Sequence, residues 1–312
     1  MPIADWFSSL LRPELAELKA YAPAPDLAIL VRDWLARTGV VVTAAALAVA
    51  GPVAHNRCRT TNLPWSLAGD ALAAATGLRA VHLLNDFEAA AWGTLAVADD
   101  ARCELQTGRF DAGAPRVVIG AGTGLGQALV VNTAAGPRVL PGEGGHVGFA
   151  PRSEQQDRLL AWMRRALGGR VSVERVVSGL GLRDIYRFLR DEEAWPESDA
   201  VRARLLREDP GGVIGACAVD RSDPLCVATL DLFLDAYGAA AGDAAIAVLA
   251  HGGVFLAGGI AAKVLPVMQR GGFLHALRDK GRMRPIAEAM PVWVVTDESL
   301  GLRGAAWSQR HR

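Results

Sequence analysis

The sequence predicts an α/β fold, on three observations. Residues 40–50 start β-branched and stay apolar, which reads as a buried strand. Gly51-Pro52 and a polar loop over 59–65 then lead to a helix capped by Ser66 and closed at Thr76-Gly77, a β-loop-α order. A second apolar run, Val81-His82-Leu83-Leu84, passes into a helix at Asn85-Asp86, and a third, Gly252 to Ile260, ends in Gly258-Gly259 before a helix from Ala261. The ends of strands that open into helices are where α/β folds hold ligands. The 312 residues suffice for one large or two modest domains.

In chain order, Asp5 is suited to cap a short helix carrying Trp6, Phe7, Leu10 and Leu11, which Pro13 stops. Residues 14–22 fit a helix or a strand. Asp26 caps the next helix, where Leu27, Leu30, Val31, Trp34 and Leu35 form one apolar stripe and Gly39 supplies the stop. The helix after Asn85-Asp86 is expected to run to Val97, and His82 reads as a satisfied core histidine. Residues 99–115 look like an irregular crossing between domains.

Two β-like runs follow, Val117–Ile119 and Ala128–Val131. A helix is expected over 158–167, with apolar residues at 159, 160, 163 and 167. A second helix runs through Ile185, Phe188 and Leu189. The charged stretch 191–215 is expected to be peripheral, and 224–249 reads as a long alanine-rich helical region whose small residues allow close packing. Lys280-Gly281-Arg282 is a solvated basic turn, Val292–Val295 a strand, and Ser299 opens the last helix. No internal repeat is evident.

Composition excludes several classes of function. The formal net charge is zero, so nothing favours a polyanion and nucleic acid is not an expected partner. Cys58, Cys103, Cys217 and Cys226 are scattered without the spacing of a zinc site or a disulfide framework, which fits a reducing cytoplasm. The run over 39–50 is too short to span a bilayer, and 244–254 is interrupted by His251 and glycines. No signal peptide is recognised at the N-terminus. A soluble cytoplasmic protein with no membrane partner is the expectation.

The chemistry concentrates in residues 116–151. Gly120-Ala121-Gly122-Thr123-Gly124-Leu125-Gly126 lies between the two β-like runs, and such a turn either closes a hairpin or cradles an anion with exposed N–H groups. Its glycines do not match the dinucleotide fingerprint, and no Gly-Lys-Ser/Thr follows. Pro141-Gly142-Glu143-Gly144-Gly145-His146 then offers a carboxylate and an imidazole three residues apart, suited to a polyhydroxylated ligand or incidental on a solvated loop. Asn85 and Asp86 fit a helix cap as well as a ligand site. Glu174 sits in a short amphipathic segment, where a solvated carboxylate is ordinary. Gly258-Gly259 admits a flat ligand or merely a helix entry. Asp209-Pro210-Gly211-Gly212-Val213 echoes a phosphate motif only superficially, because a helix-like segment and not a strand precedes it.

Taken together, GAGTGLG, LPGEGGHVGFAP, LLNDFEAAAWG, SVERVVSG and GGVFLAGGI resemble the bacterial glucokinase family, within the actin/hexokinase/Hsp70 superfamily. The resemblance runs from about Asp26 to the end. It implies a two-lobed actin-like/ribonuclease H-like ATPase fold, with a small domain over 1–97, a large domain over 98–298 and a helix over 299–312 packing back on the first. It implies glucose held by Asn85, Asp86, Glu143, His146 and Glu174, with Asp86 as catalytic base. It also implies ATP phosphates at Gly122, Thr123, Gly124 and Gly126, adenosine at Gly258 and Gly259, Mg²⁺ with the nucleotide, and a homodimer.

One family feature has no counterpart. The Asp-x-Gly-Gly-Thr phosphate hairpin that opens these proteins is not found, since no glycine precedes Gly39. A mis-assigned start or a real truncation would explain this, and the chain as written is expected to be weakly active or inactive. A lesser departure, Gly148 in place of a polar residue, is assigned no consequence. The alternatives are a non-catalytic sugar-binding or regulatory remnant, and a glycosidase using carboxylates such as Asp86 and Glu143.

Overall fold

A computed structural model describes residues 26–60 and 63–310; the helix expected after Asp5, and the helix or strand over 14–22, lie outside them. The chain forms two compact units. One comprises the chain up to Ala96 together with Gly301 onward, and the other is Val97–Leu300.

In the first unit, helix α1 (Leu27–Thr38) is capped by Asp26, whose Oδ1 accepts from Ala28 N at 2.9 Å, and it ends at Gly39 in the left-handed conformation. Strand β1 (Ala44–Val49) is shorter than expected and mostly half-buried, because it belongs to a two-stranded sheet. Its partner β5 (Ala80–Asn85) runs parallel, in a register that sets Val49 beside Asn85. Between them β2 (Val53–Ala54), β3 (Arg57–Arg59) and β4 (Ser66–Ala68) make a small antiparallel sheet. Ser66 is therefore not the expected cap. It pairs with Arg59 in the ladder, and helix α2 begins later (Gly69–Thr76) without a side-chain cap. Asn56 fastens this sheet to β5, accepting from Leu83 N at 2.8 Å and donating to Val81 O at 2.9 Å. Helix α3 (Asp86–Gly93) is shorter than the expected run to Val97.

The second unit is built on a six-stranded sheet, β6 (Arg102–Gln106), β7 (Arg116–Ala121), β8 (Leu125–Thr133), β9 (Gly136–Gly142), β10 (Val254–Leu256) and β11 (Val292–Val295), in the order β6-β11-β10-β7-β8-β9. β7, β10 and β11 are parallel and almost wholly buried, as continuous Val/Ile/Leu runs require when both faces are covered. β6 lies within the stretch expected to be irregular. Its polar Gln106 is buried, yet Nε2 donates to the Ala287 carbonyl at 2.9 Å, so the polar sequence is satisfied inside the fold.

The helices of this unit are α4 (Glu154–Leu167), α5 (Val173–Val176), α6 (Gly179–Asp191), α7 (Asp199–Leu205), α8 (Pro210–Val219), α9 (Pro224–Val248), α10 (Gly259–Lys263), α11 (Leu265–Met268), α12 (Gly272–Arg278) and α13 (Arg284–Ala289). Helix α8 corrects the expectation that 191–215 is peripheral, since Val213, Ile214 and Cys217 are buried in the main core. Helix α9 is long and apolar enough to cross a membrane, but 72% of its apolar window is buried in this core. Its Tyr237 packs edge-on against Phe273, 5.3 Å between ring centres, and donates to the Ile119 carbonyl of β7 at 3.3 Å. The final helix, α14 (Leu300–Ser308), lies largely in the first unit.

Candidate active site

In the first unit, β5 delivers Asn85 and Asp86 to the start of α3. Asn85 caps this helix. Its Oδ1 accepts from Phe87 N at 2.9 Å and Glu88 N at 3.2 Å, while Glu88 Oε2 accepts from Asn85 N at 3.3 Å, a reciprocal capping box. Its Nδ2 donates to Gly51 O at 3.1 Å, tying the cap to the turn after β1. Capping and site placement thus coincide, and Asp86 is left as an exposed residue in the first helical turn.

Asp86 Oδ1 accepts from Phe87 N at 2.9 Å. Although the residue as a whole is exposed, partial desolvation of the carboxyl raises its pKa; the Phe87 and Asp86 N–H groups and the Asn85 side chain pull the other way and lose. A helix N-terminus alone would lower it. Cys58 is held as a thiol, its pKa raised first by burial and then by the charge of Asp86.

In the second unit, the glycine-dense stretch is the tight turn between β7 and β8. Gly122 N donates to Gly124 O at 2.8 Å, and Gly126 lies within β8 opposite Gly120. Helix α5 brings Glu174 against this turn, where its Oε2 accepts from Leu125 N at 2.9 Å. The Glu143–His146 segment follows β9 as a single tight turn resting on β8. The two side chains are exposed, with 3.7 Å between Glu143 Oε2 and His146 Nε2. Val173 N donates to Val147 O at 2.9 Å, and Gly148 bridges Ser172, so this segment is stitched to the strand-like entry of α5. Gly148 thus occupies a backbone bridge where the sequence suggested no consequence. The structure brings Glu143, His146, Glu174 and the Gly122–Gly124 turn into one connected region of the larger unit, while Asn85 and Asp86 belong to the other unit.

A cavity of about 700 Å³ opens beside the turn, lined by Gly122, Thr123, Gly259 and Lys263 together with the N-terminal part of α6 and the length of α8. Its size is that of a pocket for a small organic ligand. Gly258 adjoins Gly259 at φ 85°, and a Cβ there would stand 2.7 Å from the Ala121 carbonyl. Asp209, Pro210, Gly211 and Gly212 also line the cavity, so the motif set aside as a superficial echo is part of its wall. Asp209 caps α8 through Gly212 N at 2.7 Å, and the two glycines leave the helix entry bare. Pro-Gly-Gly after a capping aspartate is the signal the sequence carries for this wall, although no strand precedes it. Arg183 and Lys263 line the cavity too and carried no sequence signal of their own.

These features have relatives. The glucokinase family model matches residues 12–312. The chain belongs to the glucokinase family. A glucokinase of Nostoc punctiforme is 40% identical over 299 residues, covering 91% of this chain and 87% of that protein. The solved glucokinase of an Antarctic psychrotroph is 30% identical with a TM-score of 0.78, covering 92% of this chain and 86% of that one. A ROK-family glucokinase of Streptomyces griseus, solved with glucose and AMPPNP, has a TM-score of 0.62 at 22% identity, covering 91% and 88%; at that identity it speaks for the fold. The two-lobed sugar-kinase architecture expected from the motifs is thereby established, and the family assignment makes the chain an ATP-dependent sugar kinase.

Proposed function

We propose that this glucokinase-family chain transfers the γ-phosphoryl group of ATP to the 6-hydroxyl of glucose, with Asp86 as general base. The observation that carries the reading is the shared geometry of the larger unit. A cavity of nucleotide size is walled by Gly122, Thr123 and Gly259, and Glu174 is hydrogen-bonded to the same turn. Glycine and threonine at such a turn offer N–H and hydroxyl donors to phosphate oxygens. Glu143 and Glu174 accept from sugar hydroxyls, and His146 donates or accepts. Asn85 holds Asp86 at the head of α3.

The reaction forms the bond from sugar O6 to the γ-phosphorus and breaks the bond to the β,γ-bridging oxygen. ADP leaves, and the hydroxyl proton passes to Asp86. A carboxylate whose basicity is raised by its surroundings suits that transfer. Mg²⁺ supplies charge neutralisation on the phosphates. The ion would arrive with the nucleotide, held by phosphate oxygens and water. We place the protein in the cytoplasm, a reading supported by four unpaired cysteines, three of them buried. A homodimer is the expected assembly, checked by light scattering.

The test is ATP-dependent formation of glucose 6-phosphate, measured on Met1–Arg312 and on the chain extended upstream in its reading frame. Turnover on the order of 1–100 per second is expected of the extended chain, and weak or no turnover of Met1–Arg312, in which the Asp-x-Gly-Gly-Thr hairpin is not found. Glucose binding without product in both forms would overturn the reading in favour of a sugar-binding protein.

A further inference from the structure

Gly124 sits in the turn assigned to the nucleotide, yet what it touches is the carboxylate assigned to the sugar. A Cβ at Gly124 would stand 2.4 Å from Glu174 Oε2 and 3.2 Å from its Cδ. The position does not require positive φ, so space, and not backbone conformation, excludes a side chain there. Gly122 is the counter-example two residues earlier. A Cβ there meets nothing within 4 Å, and the residue lines the cavity.

Glu174 is half-buried on a one-turn helix anchored by buried Val173 and Val176. One of its oxygens takes the Leu125 N–H, whose residue follows Gly124 directly. Its other oxygen has no hydrogen bond to any described residue and keeps its lone pairs for a ligand hydroxyl. The same helix is tied through Val173 N and the Val147 carbonyl to the Glu143–His146 segment.

We propose that Glu174 is the link between sugar site and phosphate turn, and that Gly124 is a positioning residue of the sugar site, kept free of a side chain so that the carboxylate can reach Leu125 N. This rests on the reading above, in which Glu174 serves glucose and the turn serves the nucleotide. Because one carboxylate contacts both, a ligand that fixes either side restricts the other, and the two bind with positive coupling.

The test measures calorimetric Kd values for glucose and for AMPPNP with Mg²⁺, each alone and together, on the full chain and on G124A and G122A, with melting curves to confirm folding. G124A is expected to raise the glucose Kd about 10- to 100-fold, the loss of a charge-assisted hydrogen bond, and to move the AMPPNP Kd less than about threefold. G122A is expected to do the reverse, weakening AMPPNP about tenfold and sparing glucose. In the unmutated chain, saturating glucose is expected to tighten AMPPNP about fivefold or more.

G124A that weakens AMPPNP while leaving glucose within about threefold would overturn the inference and leave the functional reading standing. So would a coupling ratio of about 1 in the unmutated chain, a result obtained whether or not G124A folds. An unmutated chain that binds neither ligand would overturn the functional reading, and the inference with it.

Discussion

Asp86 stands under two opposed influences, and their balance decides how it works. The N–H groups at the head of α3 favour its ionised form, and the protein packed around it disfavours that form more strongly, so its pKa lies above the ordinary carboxylate value of about 4. A base must be ionised to accept a proton, so raising its pKa moves the acid limb of the rate profile to higher pH. We expect kcat/KM for glucose to rise with pH through an apparent pKa above that ordinary value and then to level. D86N is expected to lower kcat about 10²- to 10⁴-fold and to abolish this limb, measured by initial rates across pH. It should not lower the melting temperature, because the neutral amide removes a carboxylate ionised at a cost; a fall of several degrees would show that Asp86 is structural. Sequence alone left Asn85-Asp86 divided between a cap and a site. The structure divides the labour, with Asn85 making the cap and Asp86 left exposed in the first turn of the helix. The direction of the Asp86 shift was not legible, because it comes from desolvation in the fold and outweighs the local N–H groups that the sequence does show.

Helix α9 shows at the scale of an element what its small residues are for. A Cβ at Gly238 would stand 2.2 Å from the Phe273 carbonyl, and one at Gly242 2.3 Å from the Leu277 carbonyl, so two glycines one turn apart let the backbone of α12 lie directly on α9. Alanine favours a helix over glycine by about 1 kcal/mol, yet G238A is expected to destabilise the protein by about 1–3 kcal/mol because the seam must open. Gly215 in α8 provides the opposite sign. A Cβ there meets only Val264 Cγ1 at 3.9 Å, an ordinary contact, so G215A should stabilise by up to about 1 kcal/mol. Urea unfolding of both variants checks the pair, and equal signs would refute the seam argument. Close packing of this helix was legible from its alanines and glycines. The edge strand β6 was not, because its buried Gln106 is satisfied by carbonyls of α13 and the residue after it, far along the chain. Nor was β9, whose Gly-Pro-rich sequence lacks strand composition and becomes a strand by pairing with β8.

At the scale of the whole molecule, the chain ends by returning to the unit in which its described residues begin. Helix α14 packs closely on α3: a Cβ at Gly304 would run into the Ala89 carbonyl, and Ala305 and Ser308 are buried. Ala89 and Ala91 of α3 are fully buried, and the same helix begins with Asp86. The first unit therefore draws on residues from both sides of the second, and the helix that Asp86 opens packs against those beyond Gly301. We expect a chain ending at Leu300 to keep the second unit's core, with slow amide exchange around Tyr237 and Phe273, and to lose protection across Asp86–Gly93 and Ala80–Asn85. G304V should do the same in milder form, because its side chain would have to displace backbone and not a flexible neighbour. Hydrogen exchange read by mass spectrometry separates the units directly. Uniform loss of protection in both would mean that they fold as a single cooperative body. Unchanged protection of α3 would mean that the C-terminal helix only covers a unit already stable without it. If α3 alone opens, phosphoryl transfer should fall with it while AMPPNP binding survives, since the cavity proposed for the nucleotide is built entirely from residues of Val97–Leu300.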